Sequence, residues 1–145
     1  MKILLPTDFS ANADRAQAEA IRLAQGLGGE IVLIHVTVDT PPYGETLMNQ
    51  KEVREVYEAA RRWATTALEE KVTAIRERGL AARSLLESGV PHLEIVKAAA
   101  AEGADYVVIG TRGRGGLERA FIGSVADRVI RSAPCPVVSV RHAED

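Results

Sequence analysis

The sequence has one cysteine, few aromatic residues and almost no net charge. Its single cysteine, Cys135, cannot form an internal disulfide or a cysteine-rich metal site. Aromatic residues make up 4% of the 145 residues, and the formal net charge is −2. Stacking platforms for single strands are therefore scarce, and a slightly acidic chain is a poor general binder of phosphate backbones. We expect no nucleic-acid partner.

Long hydrophobic runs are also absent. The longest purely apolar runs are only a few residues long, as at 106–109, whereas a transmembrane helix needs about 20. The apolar stretch at 3–5 is too short for the core of a signal peptide and is soon followed by Asp8. We expect no membrane partner and a cytoplasmic location.

The remaining composition is that of an ordinary globular protein. Hydrophobic residues make up 46% of the chain and charged residues 26%, which argues against a disordered chain. A length of 145 residues suits one domain and leaves no room for two full cores. We therefore expect a single domain over residues 1–145.

Two kinds of segment alternate along the chain. Short, β-branched apolar runs predict buried strands at 3–5, 31–38, 106–109 and 137–140, with a weaker candidate at 82–87. Apolar spacings of three and four, bounded by glycine or proline, predict helices at 11–27, 52–78, 93–101 and 124–132. In the second helix, the residues expected to share the apolar side are Val53, Val56, Ala60, Trp63, Ala67 and Ile75.

This alternation predicts an α/β fold. We expect a single-domain, doubly wound, five-stranded parallel sheet with helices on both faces, as in Rossmann-like proteins. Such sheets bind ligands beyond the carboxyl ends of the strands, where the direction of winding reverses. The stretch at 39–50, with Pro41, Pro42 and Gly44, follows the second strand at this edge and is interpreted as a binding loop or lid.

Residues 110–124 carry the strongest chemical signal. Four glycines lie within seven residues, so the backbone can turn sharply and present its N–H groups to an anion. The segment holds three arginines and only one glutamate, and it ends where the last helix begins, which adds unpaired N–H groups. These features suit a polyphosphate. A flexible glycine loop with solvated arginines is the alternative interpretation.

The common phosphate-binding motifs do not fit this segment. A P-loop needs a lysine after its last glycine, and residues 110–124 contain no lysine. The dinucleotide fingerprint needs a third glycine where this chain has Glu118. A phosphate loop here must therefore be of another type.

The spacing Gly110-x2-Gly113-x9-Gly123-Ser124 resembles the nucleotide-binding signature of the universal stress protein family, in its ATP-binding branch. Residues 4–10, 34–36, 105–110 and 133–138 resemble the strands and the closing segment of the same family, in the same order. The resemblance covers almost the whole chain. It implies the variant of the fold found in adenine nucleotide alpha hydrolase-like proteins.

The resemblance implies roles for residues at the ends of strands. Asp8 would contact the ribose hydroxyls or, through a metal, the phosphates, and its alternative role is to cap the first helix together with Ser10. Val36 and Ile109 would flank the adenine, or they could be plain core residues. The residues that would shape the floor of the site are Pro6 and Thr7.

The phosphate contacts follow from the glycine-rich segment. The resemblance implies that Gly110, Gly113 and Gly123 let the backbone wrap the phosphates. Ser124 would donate its hydroxyl and amide, or would cap the last helix if no ligand is bound, and Val125 would contribute its amide. Arg112 and Arg114 are candidates on charge alone, and either could point to solvent.

The implied function is an ATP-binding stress or signalling module that uses Mg²⁺ or Mn²⁺ held mainly through the phosphates, with Asp8 as the nearby carboxylate. No residue is assigned a catalytic role, and His35 is interpreted as a hydrogen-bonded, partly buried histidine. A slow ATPase that uses the same site and a dimeric interaction protein with an empty loop are the alternatives. The strand at 137–140 would lie at a sheet edge and pair in a homodimer, as the resemblance also implies.

Overall fold

The computed structural model describes residues 1–38, 49–112 and 122–141. Five strands and four helices alternate through these residues. In chain order they are β1 (Lys2–Pro6), α1 (Ala11–Leu27), β2 (Glu30–Thr37), α2 (Gln50–Arg76), β3 (Ala82–Ser88), α3 (Pro91–Glu102), β4 (Tyr106–Gly110), α4 (Ser124–Ser132) and β5 (Val137–Val140). The binding loop expected at 39–50 falls mostly outside the described residues.

The strands form one parallel sheet in the order β3-β2-β1-β4-β5. The chain winds from β1 outward to β3 and then crosses back to β4, so the direction of winding reverses between β1 and β4. The predicted doubly wound sheet is confirmed, including the weaker third strand. Its switch point lies between the first and the fourth strand.

Both faces of the sheet are covered, because successive side chains of a strand point to opposite sides. Ile3, Leu5 and Leu33 pack with the buried residues of α1 and α2. Leu4 and Val107 pack with those of α3 and α4. The central strands are therefore buried on both sides, which explains their nearly continuous apolar sequences.

The buried side of α2 differs from the predicted one. Its buried residues are Ala64, Leu68, Val72 and Ile75, whereas Val56 is 53% exposed and Trp63 is 55% exposed. The prediction places both of these residues and Ala60 on the core side, but all three are exposed, so it is wrong there. Ile75 is buried as predicted. The first half of this 27-residue helix has no buried residue, so its apolar spacing continues beyond the part that packs on the sheet.

Ion pairs hold the opposite edge of the sheet, where the strands begin. The backbone N–H of Lys2 donates to Asp105 Oδ2 at 2.7 Å, and its Nζ lies 3.6 Å from Glu102 Oε2. Arg83 also donates to the Glu102 carboxylate. These contacts lower the pKa of Glu102, chiefly through the hydrogen bond from Arg83.

Candidate functional site

The segments predicted to bind a ligand leave neighbouring strands at the switch point. β1 ends at Pro6 and β4 ends at Gly110, and the two strands pair directly. Thr7 and Asp8 follow β1, while Thr111 and Arg112 follow β4. Because parallel strands present their carboxyl ends at one edge, the crevice between these segments is the place where such sheets bind ligands.

Thr7 and Asp8 shape the turn between β1 and α1. The backbone N–H of Thr7 donates to the Ile34 carbonyl at 2.8 Å. The Asp8 Oδ1 atom accepts a hydrogen bond from the N–H of Ser10 at 3.0 Å. Ser10 itself caps α1, since its Oγ accepts from the N–H of Ala13 at 3.2 Å. Asp8 therefore supports the residue that caps the helix, and the same turn places it at the switch point.

Phe9, which follows Asp8, adopts a left-handed backbone conformation. Its φ of +63° is uncommon for a residue other than glycine. Its ring lies 4.6 Å from the His35 ring and 5.0 Å from the Trp63 ring, measured between centroids. The Thr7 carbonyl accepts a hydrogen bond from His35 Nδ1 at 2.7 Å. The interpretation of His35 as a partly buried, hydrogen-bonded histidine is confirmed.

An apolar surface lies on the α3 and α4 side of the same edge. Ile109 is buried there, and Val36 and Val125 are partly buried against the same cluster. Pro6 is buried at the end of β1, and by strand alternation it faces the same side as Leu4. Val36, Ile109 and Val125, which are predicted to contact the adenine or its phosphates, thus belong to one apolar cluster.

Gly110 packs against the first turn of α1. A Cβ at this position would lie 2.8 Å from Nδ2 of Asn12 and 3.0 Å from its carbonyl oxygen. Asn12 Nδ2 also donates to the Arg112 carbonyl at 2.5 Å. Asn12 therefore occupies the space that a side chain at position 110 would need. The packing of α1 against β4 thus favours glycine at this position even without a phosphate nearby.

The last helix begins without a side-chain cap. Gly123 is the N-cap residue of α4, and among the residues that the structure describes no side chain caps this helix. Ser124 is the exposed first helical residue, so the alternative in which it caps the helix is wrong. The N–H of Gly123 donates to the Thr111 carbonyl at 2.5 Å, which brings the two ends of the glycine-rich segment together. Gly113 and Arg114 lie outside the described residues.

Within the described ranges, no group of three His, Cys, Asp or Glu side chains could hold a metal ion.

Burial, and secondarily the charge of Asp105, raise the pKa of the Cys135 thiol, which disfavours the reactive thiolate. Searched over the same residues, no helix is long and apolar enough to span a bilayer.

Sequence reasoning missed two residues of this edge, Asn12 and Phe9. Asn12 is 5% exposed and shares a four-residue spacing with the buried Ala16, Ala20 and Ala24. That spacing was the available signal, because it places a polar side chain on the core side of the helix. Nothing in the residue type of Phe9 indicates its backbone conformation.

Comparison with known proteins agrees with this geometry. The model of the universal stress protein family matches residues 1–141. Universal stress protein MJ0531 of Methanocaldococcus jannaschii is 36% identical over 140 residues, which are 97% of this chain and 81% of that protein. The solved structure of MJ0577 from the same organism has a TM-score of 0.88 at 28% identity, covering 99% and 97% of the two chains.

A third similar protein carries a ligand. The universal stress protein from Archaeoglobus fulgidus, solved in complex with dAMP, has a TM-score of 0.68 and 26% identity, and the match covers 97% of this chain and 98% of that one. The strand order, the family match over nearly the whole chain and the spacing of the glycine-rich segment lead to one assignment. The chain belongs to the universal stress protein family.

Proposed function

We propose that this protein is an ATP-binding module that works in stress response or signalling. The observation that carries the proposal is the position of two segments, Thr7–Asp8 after β1 and Thr111–Arg112 after β4, on both sides of the switch point. Ligands of open α/β sheets bind at this crevice. The relative that was solved with dAMP supports an adenine nucleotide as the ligand.

Different residues are proposed to contact the adenine, the ribose and the phosphates. Val36 and Ile109 provide the apolar surface for the adenine, above a floor formed by Pro6 and Thr7. Asp8 accepts hydrogen bonds from the ribose or binds a metal. The phosphates are held by backbone groups and by the start of α4, through Gly110, Arg112, Gly113, Arg114, Gly123, Ser124 and Val125.

The start of α4 supports phosphate binding on physical grounds. A helix N-terminus has N–H groups without intrahelical partners and carries a partial positive charge. Gly123 offers no side-chain oxygen that would satisfy those groups, so a phosphate oxygen can accept hydrogen bonds from them. The exposed Ser124 can add its hydroxyl.

Mg²⁺ or Mn²⁺ fits this site as an ion bound mainly by phosphate oxygens. Asp8 is the acidic side chain among the proposed ligand residues, and a carboxylate is a ligand that both ions accept. A site with one carboxylate would not hold the ion without the nucleotide. The metal should therefore bind together with ATP rather than before it.

Binding is proposed as the main activity, with slow hydrolysis in the same site as the second candidate. Release of bound small molecules by heat, followed by chromatography, tests for an adenine nucleotide carried by the purified protein. Thermal shift with ATP and Mg²⁺ tests binding directly, and a phosphate-release assay then separates a module from an ATPase. If no nucleotide is released and ATP causes no shift, the loop is empty and the proposal fails.

The proposal includes a cytoplasmic homodimer formed through β5, with residues 1–145 as one domain. In the described part of the chain, β5 pairs only with β4. Its outer edge carries unpaired backbone groups that a second copy can satisfy. Sedimentation at micromolar concentration tests the dimer, and a monomer would contradict it.

A further inference from the structure

Asn12 is a buried polar residue with an unusual combination of contacts. Its side chain is 5% exposed and lies in the first turn of α1. Its Nδ2 donates to the Arg112 carbonyl at 2.5 Å. Its Oδ1 is buried and, among the described residues, has no hydrogen-bond partner. A buried amide oxygen left in this way is costly, so an apolar side chain would serve packing alone better than asparagine does.

The hydrogen bond from Asn12 crosses the switch point. Asn12 belongs to the helix that follows β1, and Arg112 belongs to the segment that follows β4. The bond therefore joins the two sides of the crevice proposed to hold the nucleotide. Gly110 makes the contact possible, because a Cβ there would lie 2.8 Å from Asn12 Nδ2.

The bond also fixes a backbone orientation. A trans peptide unit is planar and holds its carbonyl and its N–H group in opposite directions. Holding the Arg112 carbonyl toward Asn12 therefore sets the orientation of the peptide unit that leaves Arg112. The Arg112 carbonyl lies two residues after Gly110, where the glycine-rich segment begins, and the bond from the Gly123 N–H to the Thr111 carbonyl links the same part of the segment to the start of α4.

We propose that Asn12 is a positioning residue for phosphate binding: it orients the backbone that leaves β4 and thereby favours nucleotides with a polyphosphate over the bare nucleoside. The inference rests on the proposed function, since it concerns the same ATP site. It assigns Asn12 no contact with the ligand itself.

The test compares ATP with adenosine as titrants in calorimetry of the full chain. Asn12→Ala should weaken ATP binding about tenfold, because the variant loses the hydrogen bond that orients the Arg112 carbonyl before ATP binds. The same variant should change adenosine binding less than about twofold. Asn12→Asp keeps the shape but removes the donor, and it should weaken ATP binding at least as much. The ratio of the two affinities is the readout, because a loss of folding alone lowers both.

Ile75→Val is the matched control. Ile75 is buried in the same core cluster as the α1 alanines, and it lies near the opposite edge of the sheet, next to Arg76, whose Nε donates to Ala82 at the start of β3. This variant should lower the melting temperature and leave the affinity ratio unchanged.

The outcomes separate the two proposals. If the wild type fails to bind ATP, the proposed function itself is overturned. If the wild type binds ATP and Asn12→Ala keeps the wild-type ratio, only the role of Asn12 is overturned. Should both Asn12 variants fail to fold, nitrogen-15 spectra of the wild type decide: the Asn12 side-chain amide should shift with ATP and not with adenosine, with Asn49 as the internal reference. No shift with ATP would overturn the role.

Discussion

The rings of Phe9 and Trp63 meet edge to face, with centroids 5.0 Å apart and planes inclined by 85°. Phe9 makes this contact, and the one to His35, with its backbone at a φ of +63°. A residue with a Cβ is strained in this region by about 1–2 kcal/mol, whereas glycine is not.

The strain at Phe9 predicts an unusual order of stability. Phe9→Ala loses the ring contacts and keeps the strain, while Phe9→Gly loses the contacts and relieves it. We expect the glycine variant to be more stable than the alanine variant by about 1 kcal/mol in urea denaturation. As a control, Ala59→Gly, at an exposed position in α2, should lower stability by about 1 kcal/mol. An alanine variant at position 9 that equals the glycine variant would contradict the strain.

Gly110→Ala tests the close approach of β4 to α1. The new Cβ would lie 2.8 Å from Asn12 Nδ2 and 3.0 Å from the Asn12 carbonyl oxygen, so we expect a loss of about 1–3 kcal/mol in the free energy of unfolding. Gly26→Ala is the control, because no atom lies within 4 Å of its Cβ position, and it should be neutral or stabilising. Adding Asn12→Ala to Gly110→Ala should restore part of the loss, and no recovery would argue against the side-chain clash.

Two substitutions of Asp8 separate its structural role from its charge. Asp8→Asn keeps an oxygen that can accept the hydrogen bond from the Ser10 N–H and removes the negative charge. It should lower the affinity for ATP with Mg²⁺ by about tenfold and disturb stability less than Asp8→Ala, which also loses the acceptor. Thermal shift with and without the metal makes the comparison. Equal metal-dependent binding by the wild type and Asp8→Asn would remove Asp8 from the site.

The open edge of β5 allows a clean test of the dimer. The carbonyls of Pro136 and Val140 accept hydrogen bonds from Val107 and Thr111, on the β4 side. By alternation, the backbone groups of Ser139 point to the outer edge. Ser139→Pro removes an outward N–H without removing a bond to β4, and it should shift the protein to monomers in sedimentation. Ser139→Ala keeps that N–H and should remain dimeric; a dimer with proline would place the interface elsewhere.

The ion pairs at the opposite edge predict a pH dependence. The folded-state pKa of Glu102 is lowered from its usual 4.5, first by the hydrogen bond from Arg83. Its stabilising contribution is therefore present above that pH and is lost as the pH falls through the lowered pKa. The difference in melting temperature between the wild type and Glu102→Gln should shrink from about pH 6 to about pH 3. A constant difference would show that the carboxylate is not stabilised by folding.

The sequence was sufficient to predict the order of elements and the sheet, because buried parallel strands and capped helices leave strong local patterns. The bounds of α2 differ from the predicted ones: the helix begins at Gln50, two residues before the predicted start. Its predicted buried side is wrong in the first half of the helix, since the spacing of apolar residues does not report how far the sheet extends beneath them. Trp63 is apolar and exposed for that reason.

Residues of the candidate site could be predicted only where they belong to a sequence motif. Gly110 and Gly123 stand in the family's glycine spacing, and Asp8 stands in the segment that resembles the end of its first strand; Gly110 ends β4 and Asp8 follows β1, at the switch point, and Gly123 precedes α4. The contact between Asn12 and Arg112 joins residues 100 positions apart, and no local pattern reports such a distance. The ring of Phe9 contacts rings from β2 and α2, which sequence spacing does not bring together.

Trp63 is the only tryptophan in the chain, and it contacts the residue that follows Asp8. Its half-exposed indole thus gives the protein an intrinsic fluorescent reporter, which contacts Phe9 beside the crevice. Emission at a single wavelength can follow events at that turn in real time, without a dye, a label or an engineered probe.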